Sequence, residues 1–450
     1  MVENYSGWDN GKLSRVKIKW AVILGLGDFM DAYTFVAAGL MILLFKINFP
    51  SITLLEESFV PFSLSFGVFF GAFFGGRLGD KYGRRKIFMW DMGIYAAAAL
   101  IGGFSTSILM FLVLFWVMGF ALGIDVPTSW TLLAEISPIN KRQTTIAIPW
   151  AFWFLAIPCT YSVDLLILYF HLGSYSFRTF IWIIAVLGLV VFISRRSIVE
   201  SPRWLAEHGD IKEFESETKK YTKVNPIPEK NANKNTKLTF STFFKYYKKY
   251  FIWVSILYIA WGLGSSSFGT FSIFILPGLG ITTLLEITIF EWIGTLAQII
   301  AGLIWSNKYA DKVSRTKAFR WTVAFAIVFM VIVIIASFLV NPILGIIGLI
   351  PYMIVTAMAY PSIRTWSVET WPTEFRSTMQ GQVWSYMRLA TAIWLFAFLP
   401  IKLLVKIPGV MIIVLALMVI TFIAGSFFMI PDANKKSLEQ IRSEIVKENN

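Results

Sequence analysis

Asp28 and Asp31 stand three residues apart inside an otherwise apolar run, 19–45. On a helix that spacing puts both carboxyls on one face, where two negative charges oppose each other. If the run crosses a bilayer, the pair lies about 10 residues in, roughly 15 Å deep at 1.5 Å per residue. A carboxylate at that depth costs about 3 kcal/mol or more, so it faces a cavity, finds a partner or takes a proton. Two carboxyls so placed can hold one shared proton, which is the chemistry that couples proton movement to solute movement. The plainer reading is that one aspartate makes a polar helix contact or simply wets a vestibule.

Other polar residues sit in similar runs. Asp125 lies beside Gly123 and Pro127 in the run 108–134, where helices approach closely or bend. A proton or substrate role and a structural hydrogen bond fit it equally. Asp164 and Glu291 fall towards the outer ends of the runs 144–170 and 284–305. Each is a candidate gate residue or a group facing vestibule water; for Glu291 the vestibule is the preferred reading, and Asp164 is taken as a substrate contact. Arg388, about 10 residues into the run 378–400, is the clearest deeply placed cation. It can bind an anion or pair with an aspartate of the first run. Arg364 lies nearer a membrane surface and reads as a gate or snorkelling residue. Among the 18 tryptophans, Trp153 and Trp384 are favoured by depth as stacking surfaces for a substrate ring, ahead of Trp150, Tyr161 and Trp261. Gln298 and Gln382 are candidate amide contacts to hydroxyls.

These residues require membrane-spanning elements to position them, and the composition supplies those. Of 450 residues, 56% are hydrophobic and only 15% charged. A soluble domain carries about 25% charge, so a soluble fold would expose large apolar patches. Disorder, a disulfide scaffold and a nucleic-acid-binding module are excluded on the same figures. A helix crossing the hydrocarbon needs about 20 apolar residues. Twelve such runs are found: 19–45, 58–78, 87–105, 108–134, 144–170 and 178–195, then 251–275, 284–305, 319–339, 343–368, 378–400 and 409–430. The expected fold is therefore all-α and integral to the membrane, with twelve transmembrane helices in two six-helix bundles.

The net charge of +13 is unevenly spread. Arg77, Lys81, Arg84, Arg85 and Lys86 follow the second run, Lys141 and Arg142 the fourth, and a charged segment from Arg195 to Lys249 the sixth. Lys308, Lys312, Arg315 and Lys317 follow the eighth, and Arg376 the tenth. Basic connections mark the cytoplasmic side, so both termini are expected there, in a multi-pass protein of the cell membrane. The resulting division is a cytoplasmic N-terminus (1–18), a first bundle (19–197), a cytoplasmic loop (198–249), a second bundle (250–430) and a tail (431–450).

The halves repeat one plan. Glu135, Pro138 and Arg142 recur as Glu369, Pro372 and Arg376, each pair separated by the same offset. Asp80 and Arg84 are echoed, more weakly, by Asp311 and Arg315. Paired halves with a site between them are the architecture of many secondary transporters. With two histidines and one cysteine, Cys159, neither a metal centre nor a nucleophile–base constellation is expected. No phosphate-cradling loop suggests ATP-driven pumping. No cofactor is expected, and a non-transporting solute receptor stays open as a different class.

The segment Gly75-Gly-Arg-Leu-Gly-Asp-Lys-Tyr-Gly-Arg-Arg-Lys86 resembles the signature loop of the major facilitator superfamily. Glu200-Ser-Pro-Arg-Trp-Leu205 resembles the sugar-porter signature within it, and Glu135-Ile-Ser-Pro138 and Pro372-Thr-Glu-Phe-Arg376 fit the same group. Gly25-Leu-Gly-Asp-Phe-Met-Asp-Ala-Tyr33 and Gly119, Gly123, Asp125 and Pro127 are instead similar to phosphate and organic-acid proton symporters. The glutamine pair of hexose porters is absent from Trp261-Gly-Leu-Gly-Ser-Ser-Ser267, and the fourth-helix arginine of the symporters falls on Phe115 here. The resemblance implies a secondary active transporter that alternates access around a central site. It further implies proton-coupled uptake of a small polar solute, with a sugar ahead of an organic acid and phosphate third. It picks out Asp31 as the coupling acid. It makes Asp80, Arg84 and Arg85 parts of a cytoplasmic latch, with Glu135, Arg142, Glu200, Arg203, Glu369 and Arg376 extending the network. The expected partners are the solute, protons and the bilayer, with no nucleic acid, and the protein is expected to be monomeric.

Overall fold

The computed structural model describes residues 13–48, 51–208, 210–222, 240–310, 313–427, 436 and 438–448. Asp311 lies outside them, as does the side chain of Arg315, so the second copy of the loop motif cannot be placed. The first half consists of α1 (Arg15–Asn48), α2 (Leu54–Tyr82), α3 (Arg84–Gly102), α4 (Ile108–Ile136), α5 (Arg142–Tyr169) and α6 (Ser176–Ser194). Two short helices follow, α7 (Pro202–Glu207) and α8 (Ile211–Thr222). The second half is α9 (Phe240–Ile275), α10 (Leu284–Trp305), α11 (Arg315–Leu339), α12 (Pro342–Glu369) and α13 (Arg376–Phe427). A terminal helix, α14 (Leu438–Glu448), closes the chain; no strand occurs among the described residues.

The helix α13 has 52 residues and carries two spans, broken at Lys406 where φ is 57°. Counting these as two, and adding the 19-residue α3, gives twelve spans. The helices run past the expected apolar limits on one side. α2 continues to Tyr82, so Arg77, Asp80 and Lys81 are helical rather than loop residues, and α9 begins at Phe240 rather than near 251. Membrane helices need internal backbone hydrogen bonding only through the hydrocarbon, but nothing stops the ladder at its edge.

The ends of α2, α4, α10 and α12 and the starts of α3, α5, α11 and α13 lie on one side, called here the basic face. Large apolar side chains such as Trp321, Phe338 and Leu404 point outward from the helices, as lipid-facing groups must. The halves are packed together through α2 against α13, α5 against α10 and α1 against α9. Gly76 and Gly381 make the first contact possible: a Cβ on Gly76 would overlap the Ser377 carbonyl, and one on Gly381 the Ala72 carbonyl. α9 departs from helical geometry at Phe271, at the level of the central cavity.

Candidate functional site: a cavity between the halves

Two ion pairs join α1 to the second half. Asp28 of α1 pairs with Arg364 of α12, and its Oδ1 accepts from Trp130 Nε1 of α4 at 3.0 Å. The Arg364 guanidinium also lies 3.3 Å from the centre of the Trp130 ring, a close cation–π stack. Asp31 Oδ2 accepts from Arg388 Nη2 of α13 at 2.7 Å and from Trp153 Nε1 of α5 at 3.1 Å. Arg388 sits over Phe35 and Trp384, at 4.1 and 4.4 Å.

One expectation is corrected here. The two aspartates share a face of α1, and a separate arginine from the other half meets each. Arg364 does not snorkel: it is 2% exposed and is held by a carboxylate and a ring. The pairing of Arg388 with an α1 aspartate is as the sequence allowed.

Beside these bridges lies a cavity lined from both halves, by Phe35, Trp153 and Phe154 on one side and by Tyr258, Trp261, Gln298, Tyr360 and Trp384 on the other. Trp153, Gln298, Trp384 and Arg388 are thus brought together as expected. Gln298 Oε1, Trp384 Nε1 and Arg388 Nε, on residues of the cavity wall, are buried without a hydrogen-bond partner among the described residues. Such a wall, apolar with a few polar groups, is what small-solute sites look like. Trp150 and Tyr161 are not on it; Trp150 is packed against Gly302. Gln382 donates to the Phe73 carbonyl of α2 instead, at 3.4 Å.

Glu291 does not face a vestibule. It is 3% exposed and lines the cavity. Asp164 is fully buried but lies off the cavity wall, so it is no substrate contact in this conformation, and neither of its oxygens has a partner among the described residues.

Asp125 is held apart from the cavity. Its Oδ2 accepts from Arg195 Nη2 at 2.9 Å, and Arg195 Nη1 reaches Asp91 Oδ1 at 2.9 Å and the Phe88 carbonyl at 2.6 Å. Asp91 and Arg195 were missed in the sequence. Arg195 looked like the first residue of a charged loop, and Asp91 was passed over, although an acid inside a span is a signal in itself.

On the basic face the repeated motifs interlock. Arg376 Nη1 of the second half reaches Glu135 Oε1 of the first at 2.7 Å, and Arg142 Nη1 of the first reaches Glu369 Oε1 of the second at 2.8 Å. Each copy's acid therefore pairs with the other copy's arginine, the reciprocal pattern of a two-fold interface. Asp80 caps the start of α13, accepting from Thr378 N and Oγ1 at 2.7 Å and from Ser377 N at 3.3 Å, where the helix N-terminus favours an anion. Arg84 bridges Asp80 and Glu135 at 3.0 and 3.5 Å and donates to the Thr373 carbonyl.

Glu200 accepts from the backbone N–H groups of Arg84, Arg85 and Ser201, at 3.0, 3.1 and 2.8 Å. Burial lifts its carboxyl above the usual range, against the pull of those N–H groups and of Arg84. Arg203 donates to the Glu135 carbonyl at 2.7 Å, and Ser201 Oγ to the Glu135 side chain. Arg85 differs from the expectation: its backbone joins the latch, but its side chain makes no ion pair among the described residues.

Towards the opposite face the halves meet differently. Gly39 of α1 touches the Thr270 carbonyl of α9 so closely that a Cβ would overlap it. Trp292 Nε1 donates to Ser162 Oγ at 2.8 Å, and Phe59 and Phe62 pack edge-on against Phe396.

A chain of twelve membrane spans with a cavity between repeated halves and an interlocked basic face defines a multi-pass membrane transporter. The family model of the Major Facilitator Superfamily matches residues 21–395, and the chain belongs to that superfamily. It is similar to the minor myo-inositol transporter IolF of Bacillus subtilis, at 26% identity over 381 residues, 81% of this chain and 80% of the relative. It is also similar to the arabinose-proton symporter of Bacillus subtilis, at 26% identity over 42% of this chain and 41% of the relative. Among solved structures, the proton:xylose symporter XylE bound to 6-bromo-6-deoxy-D-glucose superposes with a TM-score of 0.80 at 14% identity, over 95% of this chain and 98% of XylE. At that identity the likeness speaks for the fold.

Proposed function

We propose that this transporter takes up a small polyhydroxylated solute, a sugar or cyclic polyol, together with protons, by alternating access. The observation that carries the reading is the cavity itself: aromatic rings from both halves with Gln298 Oε1 and Trp384 Nε1 left unpaired. Rings stack on the apolar faces of a sugar, and isolated amide and indole groups bond its hydroxyls. The inositol and arabinose relatives support the same class.

The two halves, 19–197 and 250–430, are the moving bodies, joined by 198–249. The basic face is cytoplasmic, both termini lie there, and the chain works as a monomer in the cell membrane. Asp31 is the coupling acid and Asp28 its neighbour. A proton on Asp31 weakens the bridge to Arg388 and lets α13 leave α1, which opens the cytoplasmic side. Asp125, bound to Arg195, adjusts α1 through Gly27, which packs against that pair. An organic acid is the second reading, favoured by the free Nε of Arg388 on the wall. Phosphate is disfavoured, because both deep arginines are already engaged.

The test uses proteoliposomes holding a pH-sensitive dye, challenged with polyols, pentoses, hexoses, carboxylates and phosphate. Acidification with a polyol or sugar, lost in Asp31→Asn while counterflow of labelled solute persists, supports the proposal. Counterflow without acidification makes the protein a uniporter or exchanger, and binding without counterflow makes it a receptor.

A further inference from the structure

The charges around the cavity do not balance evenly. Asp28 and Asp31 each have an arginine. Glu291, on α10, has none: no cation lies within ion-pair distance of it among the described residues, and the one cation on the cavity wall, Arg388, is taken by Asp31. Ser272 of α9, on the same cavity wall, donates its hydroxyl to the Phe268 carbonyl. Glu291 is nevertheless 3% exposed, and it sits one residue from Trp292, whose indole bonds Ser162 across the halves. The acid is therefore placed where closing the opposite face removes it from water.

We propose that Glu291 is a proton-binding site that governs the opposite face: the α5–α10 contact closes over the cavity when Glu291 carries a proton and opens when the proton leaves. An ionised carboxylate shut into a site without a counter-charge is strongly disfavoured, whereas a neutral carboxylic acid is far less so. The proton binds from the opposite side while that face is open. It stays bound during closure and leaves to the basic side once the cavity opens there. No bond other than the O–H of Glu291 forms or breaks.

The other titratable groups nearby do not supply a counter-charge. Tyr161 and Cys159 of α5, Tyr33 of α1 and Tyr352 of α12 are neutral when protonated. Asp164 adds a second buried acid behind the wall, near Tyr33 and Tyr161. The inference rests on the alternating-access reading, but not on the solute or on Asp31.

The experiment needs no solute. In a Cys159→Ala background, spin labels are placed at Tyr175 and Leu285, both exposed at the opposite face, on protein in nanodiscs. Distances are recorded from about pH 5 to about pH 8. The expected result is a longer-distance population that grows several-fold as pH rises. Glu291→Gln should hold the short distance at every pH, while Glu291→Asp should keep the pH response. Asp164→Asn should keep it too. A distance independent of pH in the parent, or a response surviving in Glu291→Gln, overturns the proposal. A response abolished by Asp164→Asn alone overturns it as well, by moving the titrating group elsewhere. Failure of solute uptake would leave these distances unaffected, so the two readings fail separately.

Discussion

On the basic face the two halves are joined by charges: Glu135 with Arg376, Arg142 with Glu369, and Asp80 on the first turn of α13. On the opposite face they are joined by a glycine against a carbonyl, an indole on a serine and three phenylalanines. The first closure is directional and almost fully compensated, so it resists partial opening; a broken pair strands a buried charge. The second is made of shallow apolar contacts that can slide, and the acid beside it, Glu291, has no cation within ion-pair distance among the described residues. The difference teaches where energy must enter a cycle: ion pairs must be exchanged to open one face, and a proton suffices to bias the other.

The contrast can be broken most forcefully at the basic face. Arg376→Ala leaves Glu135 short of its closest cation, and removing one partner of a buried pair costs about 3–5 kcal/mol. Inter-half distances on the basic face should lengthen while those on the opposite face shorten. The paired reversal Arg142→Glu with Glu369→Arg should largely keep the closed distances.

A smaller effect is expected from Gly39→Ala. Overpacking costs about 1–3 kcal/mol, and here it falls only on closure of the opposite face. Counterflow should slow, and the basic face should be found closed more often.

Trp130→Phe keeps a ring beneath Arg364 but deletes the N–H to Asp28, worth about 1.5 kcal/mol for a charged acceptor. Thermal stability should fall modestly, and the basic face should open more readily. Arg85→Ala sharpens the contrast from below: it removes no ion pair, so the change should stay within about 0.5 kcal/mol in the same stability assay.

Much of this was legible in the sequence. Apolar runs gave the spans because the bilayer forbids unpaired backbone, and the repeated Glu-x-x-Pro-x-x-x-Arg gave the halves. That Glu135 reaches Arg376 rather than its own copy's arginine was not legible, since spacing along one chain cannot report a two-fold packing. The partners of Asp28 and Asp31 were half legible: Arg388 stood out by depth, while Arg364 looked peripheral because its distance from the helix end was visible and the carboxylate across from it was not. Glu291 was misjudged for a similar reason, since position near a helix end says nothing about what the neighbouring bundle covers. Asp91 and Arg195 escaped because each was read within its own segment, and only the fold brings α3, α4 and the end of α6 together.

The most direct test of the account follows both faces in one protein. Spin-label pairs across the basic face and across the opposite face, read in the same nanodisc preparation as solute and pH are varied, should change in opposite senses, one lengthening whenever the other shortens. Two faces that open together, or a basic face that stays closed under every condition while counterflow proceeds, would contradict it.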